Sequence, residues 1–261
     1  MRFTTTLAAT ALLLAATAAG AAELDQTIDR TLDVRAGATF YLDNTNGGVH
    51  VRPAADNKVH LHAVKHVRAR SEQLQSVMNE LKVEITQPDG GVRIVAHYPK
   101  NHSGDSLFSW IAGESFGASV SFELQLPQSM IVDIQTVNGR VDVNDLSGAL
   151  KLETTNGGIT LERCRGSLQA ETTNGRIDAE LLSVTAGRPI RLGTTNGGIK
   201  VALPRTLAAT VDASTTNGRI NTELPVTTTS VHRSALRGTL NGGGPELKLS
   251  TTNGGIDIVA R

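Results

Sequence analysis

Three arginines recur at one position of a repeated phrase. Arg140, Arg176 and Arg219 each stand two residues after the Asn of an Asn-Gly pair, and Gly158, Gly198 and Gly255 hold that position in the alternate copies. If the copies stack in order, the guanidiniums line one edge at about twice the strand spacing, ~9.6 Å. Such a row suits the phosphates or carboxylates of an anionic glycan, because the planar guanidinium grips them in bidentate fashion. The plainer account is that glycine keeps like charges off adjacent rungs. Glu153 and Glu171 share another column, so stacking brings two carboxylates within a strand spacing, able to share Ca²⁺ or a proton. The clustered Asp/Asn/Gly ligands of calcium-binding β-helix repeats are missing, and a solvated pair suffices. Six of the seven histidines, His50, His60, His62, His66, His97 and His102, fall in one stretch. His60 and His62 share a strand face and supply two zinc ligands if a third converges. With no recognisable ligand spacing they read as exposed imidazoles on an edge strand, and no metal or other cofactor is expected.

Signals for catalysis are absent. Glycosidases need paired carboxylates at set separations, and β-helix lyases need several acids and bases converging in a groove. Here most strand charges sit singly in outward columns, and the nucleophile-elbow, phosphate-loop and zinc-protease motifs do not occur. No catalytic residue is assigned, and the chain reads as a non-enzymatic binding or structural module. Leu107, Phe108, Trp110, Ile111 and Phe116 either form a sticky loop or lie over an apolar face. Cys164, the single cysteine, packs as a small buried side chain and has no disulfide partner in the chain.

The elements that must position these groups come from the repeat itself. Its Asn residues are Asn46, Asn138, Asn156, Asn174, Asn196, Asn217 and Asn253, here copies one to seven, and all but the first carry Thr two residues earlier. Aliphatic residues recur four before and three and five after the Asn, while the residues between are polar or variable. Period-two alternation on both sides of a turn marks strands with one buried face. Asn and Gly both tolerate positive φ, which β-branched neighbours resist. Stacked asparagines can also hydrogen-bond along a ladder. Asn-Gly between alternating strands equally signals antiparallel hairpins. The sameness of whole columns favours a solenoid, in which each residue sits over its own counterpart.

The expected fold is therefore all-β, a single-chain β-solenoid of Asn-Gly turn repeats over 131–261. Residues 23–130 hold the first copy and a small α+β cap, with strands Val59 to Val67, Lys82 to Thr86, Val92 to Tyr98 and Val120 to Leu126. Ser71 to Leu81 is the one helix, capped by Ser71, with Leu74, Val77, Met78 and Leu81 on one face. Aromatics are only 3% of the chain, so Val, Ile, Leu, Ala and Thr must fill the core. Arg2, the apolar run Leu7 to Ala18 and the small residues Ala19 to Ala22 have the order of a secretory signal peptide over 1–22, cleaved after Ala21 or Ala22. The run is too short to span a bilayer, which takes roughly 20 apolar residues. Charges balance at 25 Lys+Arg against 25 Asp+Glu, which gives no global attraction to nucleic acid.

Ser121 to Pro127 followed by Ile131 to Gly139, and then Leu152 through Ile159, resembles the putative-adhesin family of bacterial β-strand-repeat proteins, a family of unknown function. The resemblance covers roughly residues 40 to 261. It implies a β-solenoid outside the cytoplasm, in the periplasm, at the cell surface or secreted, and brings no catalytic motif. A scaffold that binds an envelope polysaccharide or protein is the expected role. The alternative is a structural protein that self-associates by strand addition at an open C-terminal edge, Ile256 to Val259.

Overall fold

The computed structural model describes residues 14–15, 22–99, 116–184 and 189–261. Most of the expected signal peptide and the loop carrying Leu107, Phe108, Trp110 and Ile111 lie outside them. No helix among the described residues is long and apolar enough to cross a membrane.

Each copy crosses from one sheet to another at its Asn-Gly turn. In copy three Leu150–Asn156 lies in the front sheet and Ile159–Gly166 in the back sheet, and Leu168–Asn174 returns to the front. Among the described residues each sheet has eleven strands. Partners run parallel and like to like: Leu150 faces Leu168, Thr154 faces Thr172, Asn156 faces Asn174 and Ile159 faces Ile177. A hairpin meander would pair them antiparallel. The inward columns of the two sheets meet, with Leu152, Ile159, Ile177, Leu249, Ile256 and Ile258 all at most 0% exposed. The layer between the sheets is narrow enough for aliphatic side chains to fill, and the fully buried aromatics, Phe40 and Phe122, lie toward the N-terminal end.

Antiparallel pairing is confined to the ends of the sheets. The back sheet continues from Val49–Pro53 into Gly117–Leu126, Lys58–Ala69 and Ala22–Asp33. At the same end the front sheet finishes with Val92–His97 and Lys82–Thr86. At the other end the hairpin Val226–His232 and Ala235–Leu240 closes the front sheet against Ala209–Asn217.

Copy seven is out of sequence order. Glu246–Asn253 pairs on one side with Ile190–Asn196 and on the other with Ala209–Asn217, and Ile256–Ala260 lies between Ile199–Leu203 and Ile220–Thr222. The spatial order is one, two, three, four, five, seven, six. This overturns the open C-terminal edge: Ile256 to Val259 has a strand on both sides, so it has no free backbone to offer a second chain.

The reason for the recurring glycine also differs from the sequence expectation. Among the Asn-Gly glycines of the seven copies only Gly47 has positive φ, and none of the seven asparagines does; the separate pair Asn241-Gly242 has positive φ at both residues. What excludes a side chain is the rung beneath. A Cβ on Gly157 would fall far inside 3.0 Å of the Gly139 carbonyl oxygen, and Gly175, Gly197, Gly254 and Gly218 meet the same obstacle in Gly157, Gly175, Gly197 and Gly254. The inward Thr of copies three to seven reads that same oxygen. Thr154 Oγ1 donates to Gly139 O at 3.0 Å, Thr172 to Gly157 O at 2.9 Å, and Thr251 to Gly197 O at 2.8 Å. One carbonyl thus sets both the closeness and the register of the rung above it.

The helix is shorter than expected, Leu74–Glu80, and Ser71 does not cap it. Its C-terminal end is held instead by Lys65, a buried residue whose Nζ donates to Leu81 O at 2.9 Å and Met78 O at 3.3 Å. A cation there satisfies end carbonyls and complements the helix dipole. Burial lowers the Lys65 pKa below 10.5, so the unfolded chain holds the extra proton just under that value and stability rises with pH across that window. Cys164 acts in the opposite sense: burial raises its thiol from 9.0 to about 11, so its contribution falls away as pH climbs from 9 to 11. In a Cys164→Ala background, the denaturant midpoint measured relative to that of the added Lys65→Met variant should climb with pH toward 10.5, a comparison that cancels groups such as Tyr98, whose raised pKa acts in the opposite sense. Cys164 is also 1% exposed and its Sγ donates to Val143 O. Iodoacetamide at pH 8 is expected to leave the native protein unlabelled and to label it after unfolding; labelling of the native protein would refute the burial argument.

Candidate functional site

Outward columns of the front sheet build a groove of about 700 Å³ along the stack. Asp43, Gln135, Glu153, Glu171, Gly193 and Ser250 form its floor, and Val137, Thr155, Thr173, Thr195 and Thr252 run beside them. Parallel in-register pairing puts each residue one strand spacing, ~4.8 Å, from its counterpart, so hydroxyls and carboxylates repeat along the groove axis. The floor deepens toward copies five and seven because Gly193 and Ser250 replace the longer Glu153 and Glu171.

Glu153 and Glu171 do face each other on adjacent strands. Each keeps its own partner: Lys151 Nζ is 3.1 Å from Glu153 Oε1, and Gln169 Nε2 donates to Glu171 Oε1 at 3.0 Å. The Glu153 carboxylate, with Asp133 behind it, raises the Lys151 pKa above its ordinary 10.5. This is a polar surface suited to hydrogen bonding rather than a proton-sharing dyad.

The rung order breaks the arginine row. Gly198 and Gly255 occupy neighbouring rungs, so Arg140 and Arg176 are two rungs apart while Arg176 and Arg219 are three apart. Arg140 Nε donates to Asp142 Oδ1 at 2.6 Å and its Nη2 to Thr160 Oγ1 at 2.8 Å; Arg176 Nε donates to Asp178 Oδ1 at 2.8 Å. The Asp142 carboxylate pushes the Arg140 pKa up, and an anion approaching either arginine must compete with an aspartate already in place.

The asparagines form one unbroken chain. Asn138 Nδ2 donates to Asn46 Oδ1 at 2.7 Å, Asn156 to Asn138 at 2.7 Å, and Asn174 to Asn156 and Asn196 to Asn174 at 2.8 Å. Asn253 then donates to Asn196 and Asn217 to Asn253, each at 2.8 Å. Every side chain donates toward the N-terminal end, where Asn46 Nδ2 reaches Ala118 O at 3.2 Å. The ladder fixes the turns.

The histidines do not sit on an edge strand, because Lys58–Ala69 lies between Ala22–Asp33 and Gly117–Leu126. Five of them have a carboxylate, His62 with Asp29 at 2.7 Å, His66 with Asp25 at 2.6 Å, His60 with Asp56 at 2.8 Å, His50 with Asp142 at 3.1 Å and His97 with Glu84 at 3.0 Å, and His102 lies outside the described residues. The sequence analysis missed these partners. Their signal was the odd-numbered acids Glu23, Asp25, Asp29 and Asp33 of one strand facing the even-numbered bases Lys58, His62, His66 and Arg68 of the next. Among the described residues no group of three or more His, Cys, Asp or Glu side chains is placed to hold a metal ion.

A model of the family described as Toastrack DUF4097 matches residues 118–259. Among solved structures, the chain is similar to a putative cell adhesion protein from Clostridium sporogenes ATCC 15579, at 12% identity and a TM-score of 0.44, covering 91% of this chain and 100% of that one. It is also similar to a putative adhesin from Bacteroides fragilis NCTC 9343, at 11% identity and a TM-score of 0.37, covering 90% of this chain and 97% of that one. No curated protein matches the sequence.

Proposed function

The chain belongs to the Toastrack DUF4097 family, and on that premise we propose that it is a non-enzymatic binding scaffold of the cell envelope, exported by its N-terminal leader, whose ligand lies along the front-sheet groove. The supporting observation is the groove's periodicity: hydroxyls, amides and carboxylates recur at one strand spacing over six front-sheet strands. That pattern fits an extended, hydroxyl-rich polymer such as an envelope polysaccharide, whose own repeated hydroxyls donate to Asp43, Glu153 and Glu171 and accept from Thr155, Thr173, Thr195 and Thr252. Residues 131–261 present the groove in this reading, and residues 23–130, with the first copy, serve as the cap that blunts one end of the stack. An anionic glycan along Arg140, Arg176 and Arg219 is the second reading, which the uneven spacing and the two aspartate partners disfavour.

Gly193 provides the test. A Cβ there meets only Ser250 Oγ at 3.5 Å and Glu171 Cγ at 3.7 Å, ordinary contacts that leave room for a larger side chain over the floor. Gly193→Trp should fill the groove, leave thermal stability unchanged and lower retention on envelope polysaccharides by about tenfold or more, the effect of about 1.4 kcal/mol. Retention equal to the parent protein, or none by the parent protein itself, overturns the proposal. Loss of retention on replacing Arg140, Arg176 and Arg219 by Ser, with Gly193→Trp silent, transfers the site to the arginines.

A further inference from the structure

Eight Asn-Gly pairs stand in this chain, the seven of the copies and Asn241-Gly242. Asn followed by Gly is the dipeptide most prone to lose its side-chain amide, because glycine has no Cβ to hinder the approach of its own nitrogen. That backbone nitrogen attacks Asn Cγ, the new C–N bond closes a succinimide ring, and the amide nitrogen leaves as ammonia. Water then opens either ring carbonyl to give aspartate or isoaspartate, so one water enters and one ammonia departs, with no oxidant or reductant. Cyclisation requires two freedoms: a glycine N–H that gives up no hydrogen bond, and a carboxamide able to turn toward it.

The stack withdraws these freedoms from most pairs. The N–H groups of Gly47, Gly157, Gly175, Gly197 and Gly254 each donate to the main-chain carbonyl of the Asn on the next rung, at 3.0 to 3.1 Å. The carboxamides of the same five pairs also accept at Oδ1 from the Asn of that rung. Gly139 N–H makes no such bond, but the Asn138 carboxamide is held at both ends, donating to Asn46 and accepting from Asn156, each at 2.7 Å. Asn241 Nδ2 donates to Leu207 O at 2.8 Å and to Arg205 O at 2.9 Å, so two bonds must break before that side chain turns.

Asn217-Gly218 differs because copy six is the last rung. The turn of the hairpin beside it offers Ser234 O to Thr215 N at 2.9 Å and Arg233 O to Ile220 N at 3.3 Å, and passes by the nitrogen between them. Among the described residues the Gly218 N–H has no hydrogen-bond partner. Asn217 is exposed, and its carboxamide makes a single bond, from Nδ2 to Asn253 Oδ1. We propose that Asn217 is a site of spontaneous deamidation and isoaspartate formation, the pair at which the folded protein leaves both reacting groups free. The product is a carboxylate at the end of the asparagine chain, unable to donate to Asn253 Oδ1. Local sequence does not single it out, since Thr172 to Ile177 and Thr215 to Ile220 spell the same six residues, Thr-Thr-Asn-Gly-Arg-Ile. What separates them is the next rung: Asn196 covers Gly175, and no asparagine covers Gly218.

The test is a time course of the purified protein at pH 8, folded and in urea, read by tryptic peptide mapping with mass detection. Each of the eight pairs falls in its own tryptic peptide, Asn217 in 206–219 and Asn174 in 166–176. In the folded protein Asn217 should convert about tenfold or more faster than Asn174, whose cyclisation must first break the Gly175 hydrogen bond and free a doubly held carboxamide. In urea the two should convert at the same rate, because their neighbours are identical. Isoaspartate in peptide 206–219 is told from aspartate by its resistance to an aspartate-specific protease. Equal rates for Asn217 and Asn174 in the folded protein, or faster conversion of any other pair, overturns the proposal, as does a lead of Asn217 that persists in urea.

Discussion

Gly175→Ala is expected to destabilise the protein by about 3 kcal/mol, the upper range for inserting a methyl group where no space exists. The added Cβ would strike the Gly157 carbonyl oxygen, a backbone atom that cannot swing aside. That oxygen also accepts from Thr172, so the rung can yield only by giving up its hydrogen bond as well. On a chain of this length the loss corresponds to a fall in melting temperature of about 6–12 °C. Gly193→Ala is the control, in the front-sheet strand Ile190–Asn196 of the next rung, with only ordinary contacts to its Cβ. If Gly175→Ala melts with Gly193→Ala and the parent protein, close approach is not what holds glycine in the turn.

Thr172→Val is expected to cost about 2 kcal/mol, whereas Thr136→Val should cost less than about 0.5 kcal/mol or stabilise. The two threonines occupy one inward column and are equally buried, 6% exposed each. They differ in their partners. Thr172 Oγ1 donates to Gly157 O at 2.9 Å, and its loss leaves a partly buried carbonyl without that partner, which costs roughly 1–3 kcal/mol. Thr136 Oγ1 is buried with no partner at all. The first copy carries Asn44 in place of threonine, and Asn44 Nδ2 donates to Gly47 O at 3.3 Å as well as to Val120 O at 3.0 Å. The carbonyl that Thr136 would use is therefore already engaged. Replacing an unsatisfied hydroxyl by a methyl group removes a penalty instead of a bond. Equal destabilisation of the two variants in urea titrations would show that the hydroxyl–carbonyl column adds nothing.

Much of the site was legible from spacing. Period-two alternation placed Leu152, Ile159 and their counterparts inside and Glu153, Glu171 and Arg140 outside, because side-chain direction in a strand depends on parity alone. The asparagine chain and the buried Thr column follow from the same parity once like stands over like. The groove was not legible, because it arises from the outward residues of six strands together and no copy contains it. The partners of the histidines were equally hidden: Asp29 is 33 residues from His62, and Asp142 is 92 from His50.

The amino-acid sequence by itself determined the unit, a strand, a tight Asn-Gly turn and a second strand with one aliphatic face. It favoured stacking of such units in register, since a one-residue slip would turn every aliphatic side chain to solvent, but the parallel pairing that rules out a hairpin meander came from the tertiary structure. Only the tertiary structure decided the order of the stack. Copies five and seven present nearly the same inward residues, Leu192, Thr194, Ile199 and Val201 against Leu249, Thr251, Ile256 and Ile258, so local pattern does not say that copy seven comes next to copy five. The hairpin between residues 226 and 240 occupies the front-sheet edge beside copy six, and the last strands of the chain fill the place between copies five and six. That single exchange of order separates Arg219 from the other two arginines, closes the edge that the final strand would have left open, and sets Ser250 beside Gly193 in the floor of the groove.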